Sequence, residues 1–266
     1  MPTIQTGPGE TIFYESPHVL GGAAPGARII FIHGTGVDHR LFEDQLRFFA
    51  GAQTPIAIDL PGHGQTQSEA LEDVVEYRST LKAFVDNAHL APVILCGHAL
   101  GAAIALDYAV NHQREVEGLV LMDFGRTFPG AADSAADMLV DPTGYRQRNG
   151  RRGLREHANE RAVELVTSAR TNTPPNSAIR DLVAAAKWDA SVRFPHVKSP
   201  TLLVYGENDP LLEQSSDLLS AMPSASLDTI PLARHFPHVE APDIFNDSLN
   251  SFVTAISELT PITGGE

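Results

Sequence analysis

Short runs rich in β-branched residues alternate along the chain with longer segments in which apolar residues recur at helical spacing. This alternation is typical of a mostly parallel β-sheet that is covered by helices on both faces. The short runs predict strands at residues 11–16, 28–33, 55–60, 92–96, 116–123, 201–205 and 225–231. The longer segments predict helices at residues 42–49, 74–88, 100–111, 211–221 and 244–259. The sequence therefore predicts the α/β class, with a doubly wound sheet.

The pattern changes between residues 125 and 194, where helical spacing predominates and no convincing strand occurs. Apolar residues recur at helical spacing in the stretches 162–171 and 178–188. We predict that residues 125–194 form a helical cap, inserted into an α/β core that consists of residues 1–124 and 195–266.

The predicted cap also contains a cluster of closely spaced arginines: Arg146, Arg148, Arg151, Arg152 and Arg155. Such a cluster most often forms a solvated basic face and less often recognises an anion. We therefore interpret it as a solvated face.

Composition narrows the class of protein further. The chain has 266 residues, which suits one large domain with an insertion, and its single Cys96 cannot form a disulfide within the chain. No segment is long and apolar enough to span a bilayer, and a net charge of −14 disfavours nucleic acid as a partner. These features predict a cytoplasmic monomer or homodimer that acts on a small molecule, away from membranes and nucleic acids.

The stretch 93–103 carries the most informative motif, because a buried strand runs there directly into a helix. The turn between them reads Gly97-His98-Ala99-Leu100-Gly101. A nucleophile elbow, G-x-S-x-G, has this order, because small neighbours let the strand and helix pass closely while the turn residue projects above the sheet. In this chain Ala99 occupies the position where the motif has its serine.

Other motifs follow the predicted strands. The loop His33-Gly34-Thr35-Gly36 is placed to direct a backbone N–H group at the elbow, where the N–H of Leu100 is the second candidate donor to an oxyanion. The segment Asp59-Leu60-Pro61-Gly62-His63-Gly64 predicts a tight turn beside it. Asp209 follows a late strand and His235 follows the last one, so the order is elbow, acid, histidine.

These motifs, in this order over nearly the whole chain, resemble the α/β-hydrolase superfamily. The resemblance implies that Ala99 occupies the nucleophile site, that His235 is the base and Asp209 its acid, and that Thr35 and Leu100 donate to the oxyanion. It leaves the substrate open, because this scaffold carries esterases, carbon–carbon hydrolases and cofactor-free dioxygenases.

Two assignments in the site have competitors. Asp123 ends the strand after the elbow helix, and some members of the superfamily take their acid from that strand, so Asp209 is preferred but Asp123 stays open. His238 competes with His235, and the family pattern favours His235. Gly34, His98, Phe124 and Trp188 are the candidate substrate-binding residues, although His98 at an elbow and large aromatic side chains more often serve packing.

Ala99 has two explanations that the sequence does not separate. Either a serine was changed to alanine to trap a ligand, or the protein works without a nucleophile. Because the rest of the elbow and both partner residues are intact, the first is favoured. The leading hypothesis is a serine-type hydrolase of a small or medium ester, thioester or lactone, or of a carbon–carbon bond, with Ala99 at the nucleophile position.

Two further hypotheses come from other classes. In the first, His235 deprotonates an N-heteroaromatic substrate directly, as in cofactor-independent dioxygenases, and no nucleophile is needed. In the second, the pocket binds a ligand without catalysis. No histidine pair has metal-ligand spacing on a helix face, and the glycines do not form a dinucleotide fingerprint, so we predict neither a metal nor a cofactor.

Overall fold

The structure is a computed structural model that describes residues 2–22 and 24–259, with only the backbone of Leu259 described. Its strands are β1 (Thr3–Gly7), β2 (Glu10–Glu15), β3 (Arg28–Ile32), β4 (Thr54–Ile58), β5 (Val93–His98), β6 (Val116–Met122), β7 (Thr201–Gly206) and β8 (Ala225–Ile230). They form one eight-stranded sheet in the order β1-β2-β4-β3-β5-β6-β7-β8. β2 runs antiparallel to both of its neighbours, β1 and β4. In the rest of the sheet, from β4 through β3 to β8, all neighbouring strands are parallel.

Ten α-helices are described: α1 (Glu43–Phe49), α2 (Val74–Asn87), α3 (Leu100–Asn111), α4 (Ala131–Val140), α5 (Pro142–Asn149), α6 (Glu160–Asn172), α7 (Pro175–Lys187), α8 (Ser215–Ala221), α9 (Pro237–Glu240) and α10 (Pro242–Leu259). α1 and α10 bury apolar residues against one face of the sheet, and α2 and α3 pack on the other. Strands β3, β4, β5 and β7 are almost entirely buried, as expected for parallel strands covered on both faces. The predicted α/β class and doubly wound sheet are confirmed.

The sequence prediction was wrong in two places. β1 was not predicted, because its segment has Ile4 as its one large apolar residue and is held mainly by pairing with β2. The single helix predicted at 211–221 is a 3-10 turn, Pro210–Gln214, followed by the short helix α8. In both places the element is too short for its pattern of apolar residues to be recognised in the sequence.

Helices α4 to α7 lie between β6 and β7, and no strand occurs among residues 123–200. α6 packs on the rest of the molecule through Ala162, Val166 and Ala169, which share a buried cluster with Phe236 and Val239. The division into core and cap stays a prediction, and residues 260–266 of the predicted core lie outside the described residues. None of the described helices has the length and apolarity that crossing a membrane requires.

Candidate active site

The elbow between β5 and α3 has a backbone conformation that alanine rarely adopts. Ala99 has φ 48° and ψ −110°, and its N–H donates to the carbonyl of Met122 at 2.9 Å. Gly97 and Gly101 make the close approach possible, because a Cβ on either would collide with backbone of the neighbouring segment. The turn is therefore held by packing on both sides, and it directs the methyl group of Ala99 into a cavity.

His235 stands on the wall of the same cavity, paired with Asp209. Its Nδ1 lies 2.5 Å from Oδ2 of Asp209, whose side chain is buried. The backbone of His235 is fixed as well, since its N–H donates to the carbonyl of Gly153 and its carbonyl accepts from Nε2 of His98 at 2.7 Å. Burial acts to raise the pKa of Asp209, but the hydrogen bond and the positive charge of His235 outweigh it, so the pKa lies below its usual value.

Asp123 lies directly behind this pair. It is fully buried, it has φ 44°, and its Oδ1 accepts from the N–H of Gly206 at 3.1 Å. Burial, and then the charge of Asp209, raise the pKa of Asp123 well above its usual value. Asp209 is thus the carboxylate that contacts the histidine, and burial favours the neutral form of Asp123 behind it.

We expect Asp123→Asn to raise the free energy of unfolding at pH 7. A carboxyl group whose folded pKa is raised stabilises the fold below its unfolded pKa, and this contribution is lost as the pH rises towards the folded pKa. Each pH unit in that window costs ~1.4 kcal/mol, and an asparagine removes the dependence because it stays neutral. Urea titrations between pH 4 and pH 8 measure the effect.

Asp137→Asn is the matched control, because Asp137 is exposed on α4 and its side chain makes no hydrogen bond to a described residue. An Asp123→Asn variant that keeps the pH slope of the unchanged chain would contradict the upward shift of the Asp123 pKa.

Thr35 and Leu100 line the cavity beside Ala99 and His235. Leu100 is the first residue of α3, so its N–H has no acceptor within the helix and lies at the positive end of the helix dipole. Gly34 brings the loop against the elbow, because a Cβ there would lie 2.8 Å from Nδ1 of His98 and 3.3 Å from the methyl carbon of Ala99. This placement suits two backbone donors converging beside residue 99.

Sequence reasoning missed the residue that holds this loop. Asp181 of α7 is fully buried. Its Oδ2 accepts from the N–H of Gly36 at 2.9 Å and lies 3.0 Å from Nε2 of His63. Its Oδ1 accepts from the hydroxyl of Tyr77 at 2.6 Å. Burial lowers the pKa of His63, but the charge of Asp181 outweighs burial and the net direction is upward. An acid among Ala178, Leu182 and Ala185 on an apolar helix face was the available signal.

Three of the four candidate substrate-binding residues do not line the cavity: Gly34, which packs against the elbow, Phe124 and Trp188. Phe124 has no exposed surface and packs edge-on against Phe128 and Phe194, and Trp188 lies under the guanidinium of Arg193 at 4.2 Å. Both side chains belong to the main hydrophobic cluster, so their assignment to substrate binding is corrected. These aromatic side chains serve core packing, the more common role of large aromatic residues.

The histidines of the site differ in their surroundings. His98 reaches the cavity wall, but burial lowers its pKa well below the usual value, so it is a neutral donor to the carbonyl of His235. His238 is fully buried against the ring of Phe42, its pKa is lowered by burial to about 3, and it does not line the cavity. The geometry therefore places His235, and not His238, beside Ala99.

Among the described residues, two sets of three side chains could each hold a metal ion, because the possible ligand atoms within a set lie within 4.8 Å of one another. The first set is His98, Asp123 and His235, and the second is Asp38, His39 and Asp59. In the second set Asp38 pairs with Arg40, and His39 pairs with Asp59 at 2.8 Å. In the first set His235 is engaged by Asp209. The expectation of no metal and no cofactor stays a prediction.

The cavity has a volume of about 940 Å³, at the upper end of the range for small-molecule sites. Its floor is formed by the elbow, Thr35 and His235, and much of its remaining wall comes from α4, α5, α6 and α7. The site is thus a histidine–aspartate pair and two candidate backbone donors at the carboxyl ends of parallel strands, where α/β folds bind ligands.

Comparison with known proteins agrees with this arrangement. The model of the alpha/beta hydrolase family matches residues 29–248, and the chain belongs to that family.

Individual relatives are distant. The sn-1-specific diacylglycerol lipase ABHD11 of Mus musculus is 23% identical over 265 residues, covering 90% of this chain and 84% of its own. The (E)-2-((N-methylformamido)methylene)succinate hydrolase of Acinetobacter baylyi is 24% identical over 255 residues, with coverage of 89% and 92%. A malate-bound thermophilic esterase from Thermogutta terrifontis superposes with a TM-score of 0.85 at 19% identity, covering 96% of this chain and 98% of that one, and shows the shared fold.

Proposed function

We propose that the site is that of a hydrolase for an ester, thioester or lactone, with Ala99 at the position of the nucleophile. The observation that carries the proposal is the 2.5 Å contact between His235 and Asp209 on the wall that Ala99, Leu100 and Thr35 also line. In this proposal helices α4 to α7 form the cap that covers the substrate, since they supply much of the cavity wall.

The mechanism follows from what each group contributes. Asp209 holds the imidazole through Nδ1, so that Nε2 is the nitrogen that takes a proton. With a hydroxyl at residue 99, Nε2 takes that proton while the oxygen attacks the acyl carbon, and the developing oxyanion lies between the N–H groups of Thr35 and Leu100.

A methyl group has no such proton, so the chain with Ala99 forms no acyl-enzyme at this residue. His235 then acts on water: it takes a proton while the hydroxide oxygen bonds to the acyl carbon, and it returns the proton to the departing alcohol. The products are the acid and the alcohol, and no covalent intermediate with the protein is formed.

One relative, named a diacylglycerol lipase, supports the ester class, and another, named a hydrolase of a substituted succinate, supports hydrolysis in general. The competing hypothesis, a dioxygenase that binds a flat heteroaromatic ring, would be favoured by aromatic residues of the cap region on the cavity wall. Phe124, Trp188 and Phe194 lie off the cavity, and Phe128 is the one member of that set on its wall. A binding module without catalysis has no use for the paired His235 and Asp209.

The unaltered chain is expected to hydrolyse activated aryl esters slowly, without a burst and without an adduct after treatment with a fluorophosphonate. Removing oxygen should leave this rate unchanged, and His235→Ala should lower it by ~10²-fold or more, the usual contribution of a general base. Stopped-flow kinetics and intact-protein mass spectrometry make the measurements. Oxygen uptake with a heteroaromatic substrate, lost in His235→Ala, would establish the dioxygenase instead.

A further inference from the structure

The cavity above Ala99 is lined by several arginines in a chain whose net charge is −14. They come from α5, from the loop after it, from α6 and from the segment before the catalytic histidine: Arg146, Arg151, Arg152, Arg170 and Arg234. Asp209 is the carboxylate that the described residues contribute to the same wall, and it is engaged by His235. The wall is therefore strongly cationic inside an acidic protein.

None of these five arginines forms an ion pair with a carboxylate of the described residues. Arginines elsewhere do so regularly, as in the pairs Arg40–Asp38, Arg161–Asp44 and Arg193–Asp107. The neighbouring Arg148 of α5 pairs with Asp141 and is not on the cavity wall. Arg28, Arg114, Arg126 and Arg155 also form no ion pair, but they are dispersed, whereas the five on the cavity wall line a single pocket.

Arg170 is half-buried and rigidly held. All of its hydrogen bonds to described residues use Nη1, which donates to the carbonyls of Asn149, Gly150 and Arg152 at 2.8 to 3.0 Å. The guanidinium lies 5.3 Å from the ring centroid of Phe236, a residue adjacent to His235. Its remaining N–H groups, on Nε and Nη2, are left for a ligand in the planar arrangement that matches carboxylate or phosphate oxygens.

Arg146, like Arg170, has an N–H group that no described residue accepts from. Its Nη2 donates to the carbonyl of Thr173, and its buried Nε has no hydrogen-bond partner among the described residues. Burial lowers the pKa of Arg170 to about 10 and also lowers that of Arg146, yet both remain charged at neutral pH. Removing two cations from water without a counter-charge is unfavourable, and an anionic ligand would relieve that cost.

We propose that the arginine-lined wall, around Arg146 and Arg170, binds an anionic group of the substrate, a carboxylate or a phosphate, away from the bond that is broken. The substrate class is thus an ester, thioester or lactone that carries a free acid group. This inference rests on the proposed function for the reacting bond, whereas the anion site itself rests on the arginines alone.

The test measures binding to the unaltered chain by isothermal titration calorimetry, so it does not depend on turnover. The probes are monomethyl glutarate, butyl phosphate and, as the neutral control, dimethyl glutarate. We expect at least one anionic probe to bind ~10-fold or more tightly than the diester, and its affinity to fall with added salt. The preferred anion then identifies the acid group.

Arg146→Gln and Arg152→Gln are the test variants, because the side chain of each makes one hydrogen bond to a described residue, whereas Arg170 bonds three carbonyls. Each should weaken the anionic probe by ~10-fold, with little effect on dimethyl glutarate. Arg148→Gln, on the same helix but off the cavity wall, is the matched control and should bind like the unaltered chain.

Equal affinity for the diester and both anions overturns the proposal, and so does an equal loss in Arg148→Gln and Arg146→Gln. A failure of the proposed function has a different signature. In that case the anionic probes still bind through Arg146, but no ester is hydrolysed after serine is introduced at residue 99.

Discussion

Changing Ala99 to serine is expected to raise the hydrolysis of small aryl esters by ~10²-fold or more. The change adds a hydroxyl at the elbow, on the cavity wall that His235 and the candidate oxyanion donors share. Because Asp209 already contacts Nδ1 of His235, the base is positioned before the nucleophile is introduced. Steady-state kinetics with p-nitrophenyl esters of increasing acyl length measure the gain.

If the increase in ester hydrolysis by Ala99→Ser comes from covalent catalysis, it must depend on His235. Adding His235→Ala to Ala99→Ser should abolish it, because triad members act as a unit. Ala185→Ser is the matched control, since Ala185 lines the same cavity from α7 and not from the elbow, and it should give no gain. A fluorophosphonate should label the Ala99→Ser chain at residue 99.

A failure of Ala99→Ser to hydrolyse esters would contradict the proposal. If Ala99→Ser hydrolyses no ester over a broad panel of acyl and alcohol groups, the proposed hydrolase function is wrong. Oxygen-dependent turnover of a heteroaromatic compound by the unaltered chain would then favour direct deprotonation by His235.

The largest loss of stability is expected from Asp181→Ala, at ~3–5 kcal/mol of the free energy of unfolding, the range for breaking a buried ion pair. The change leaves the buried N–H of Gly36, the hydroxyl of Tyr77 and the ring of His63 without their acceptor. Since Gly36 follows Thr35, the loop beside the elbow loses its anchor to α7. Urea denaturation followed by circular dichroism measures the loss.

The effect of Asp181→Ala should also depend on pH. The pKa of His63 is raised in the fold, so its stabilising pair with Asp181 is fully present below the unfolded value and is lost as the pH rises through the folded value. The loss of stability should therefore be larger at pH 6 than at pH 9. Asp137→Asn, an exposed change on α4, should show neither effect, and equal losses at both pH values would refute the ion pair.

The elbow was readable from the sequence because its turn is local, and its partners Asp209 and His235 followed from the resemblance to the α/β-hydrolase superfamily. A strand that runs into a helix with Gly97 and Gly101 on either side of Ala99 specifies its own turn, since only small residues permit that approach. The parallel strands were readable too, because runs buried on both faces are continuously apolar. The order of elbow, Asp209 and His235 added the expected site without any knowledge of distances.

Contacts between distant segments were not readable. The sequence left Asp209 and Asp123 as alternatives, and the fold places Asp209 on His235, with the buried Asp123 behind it. It also suggested Phe124 and Trp188 as pocket residues, because an aromatic residue in or beside a predicted cap can face either the pocket or the core, and only the fold shows that both belong to the core.

Thus the sequence by itself determined the fold class, the elbow and the absence of a hydroxyl at residue 99. Only the tertiary structure decided where charge is buried. The apolar helix face around Asp181 does not reveal its partner Gly36, which lies 145 positions away in the sequence. Arg170 looks like a surface residue in a list of helical positions, and only the fold places it on the cavity wall. Burial and pairing are properties of contacts between segments, so they appear only once the chain has folded.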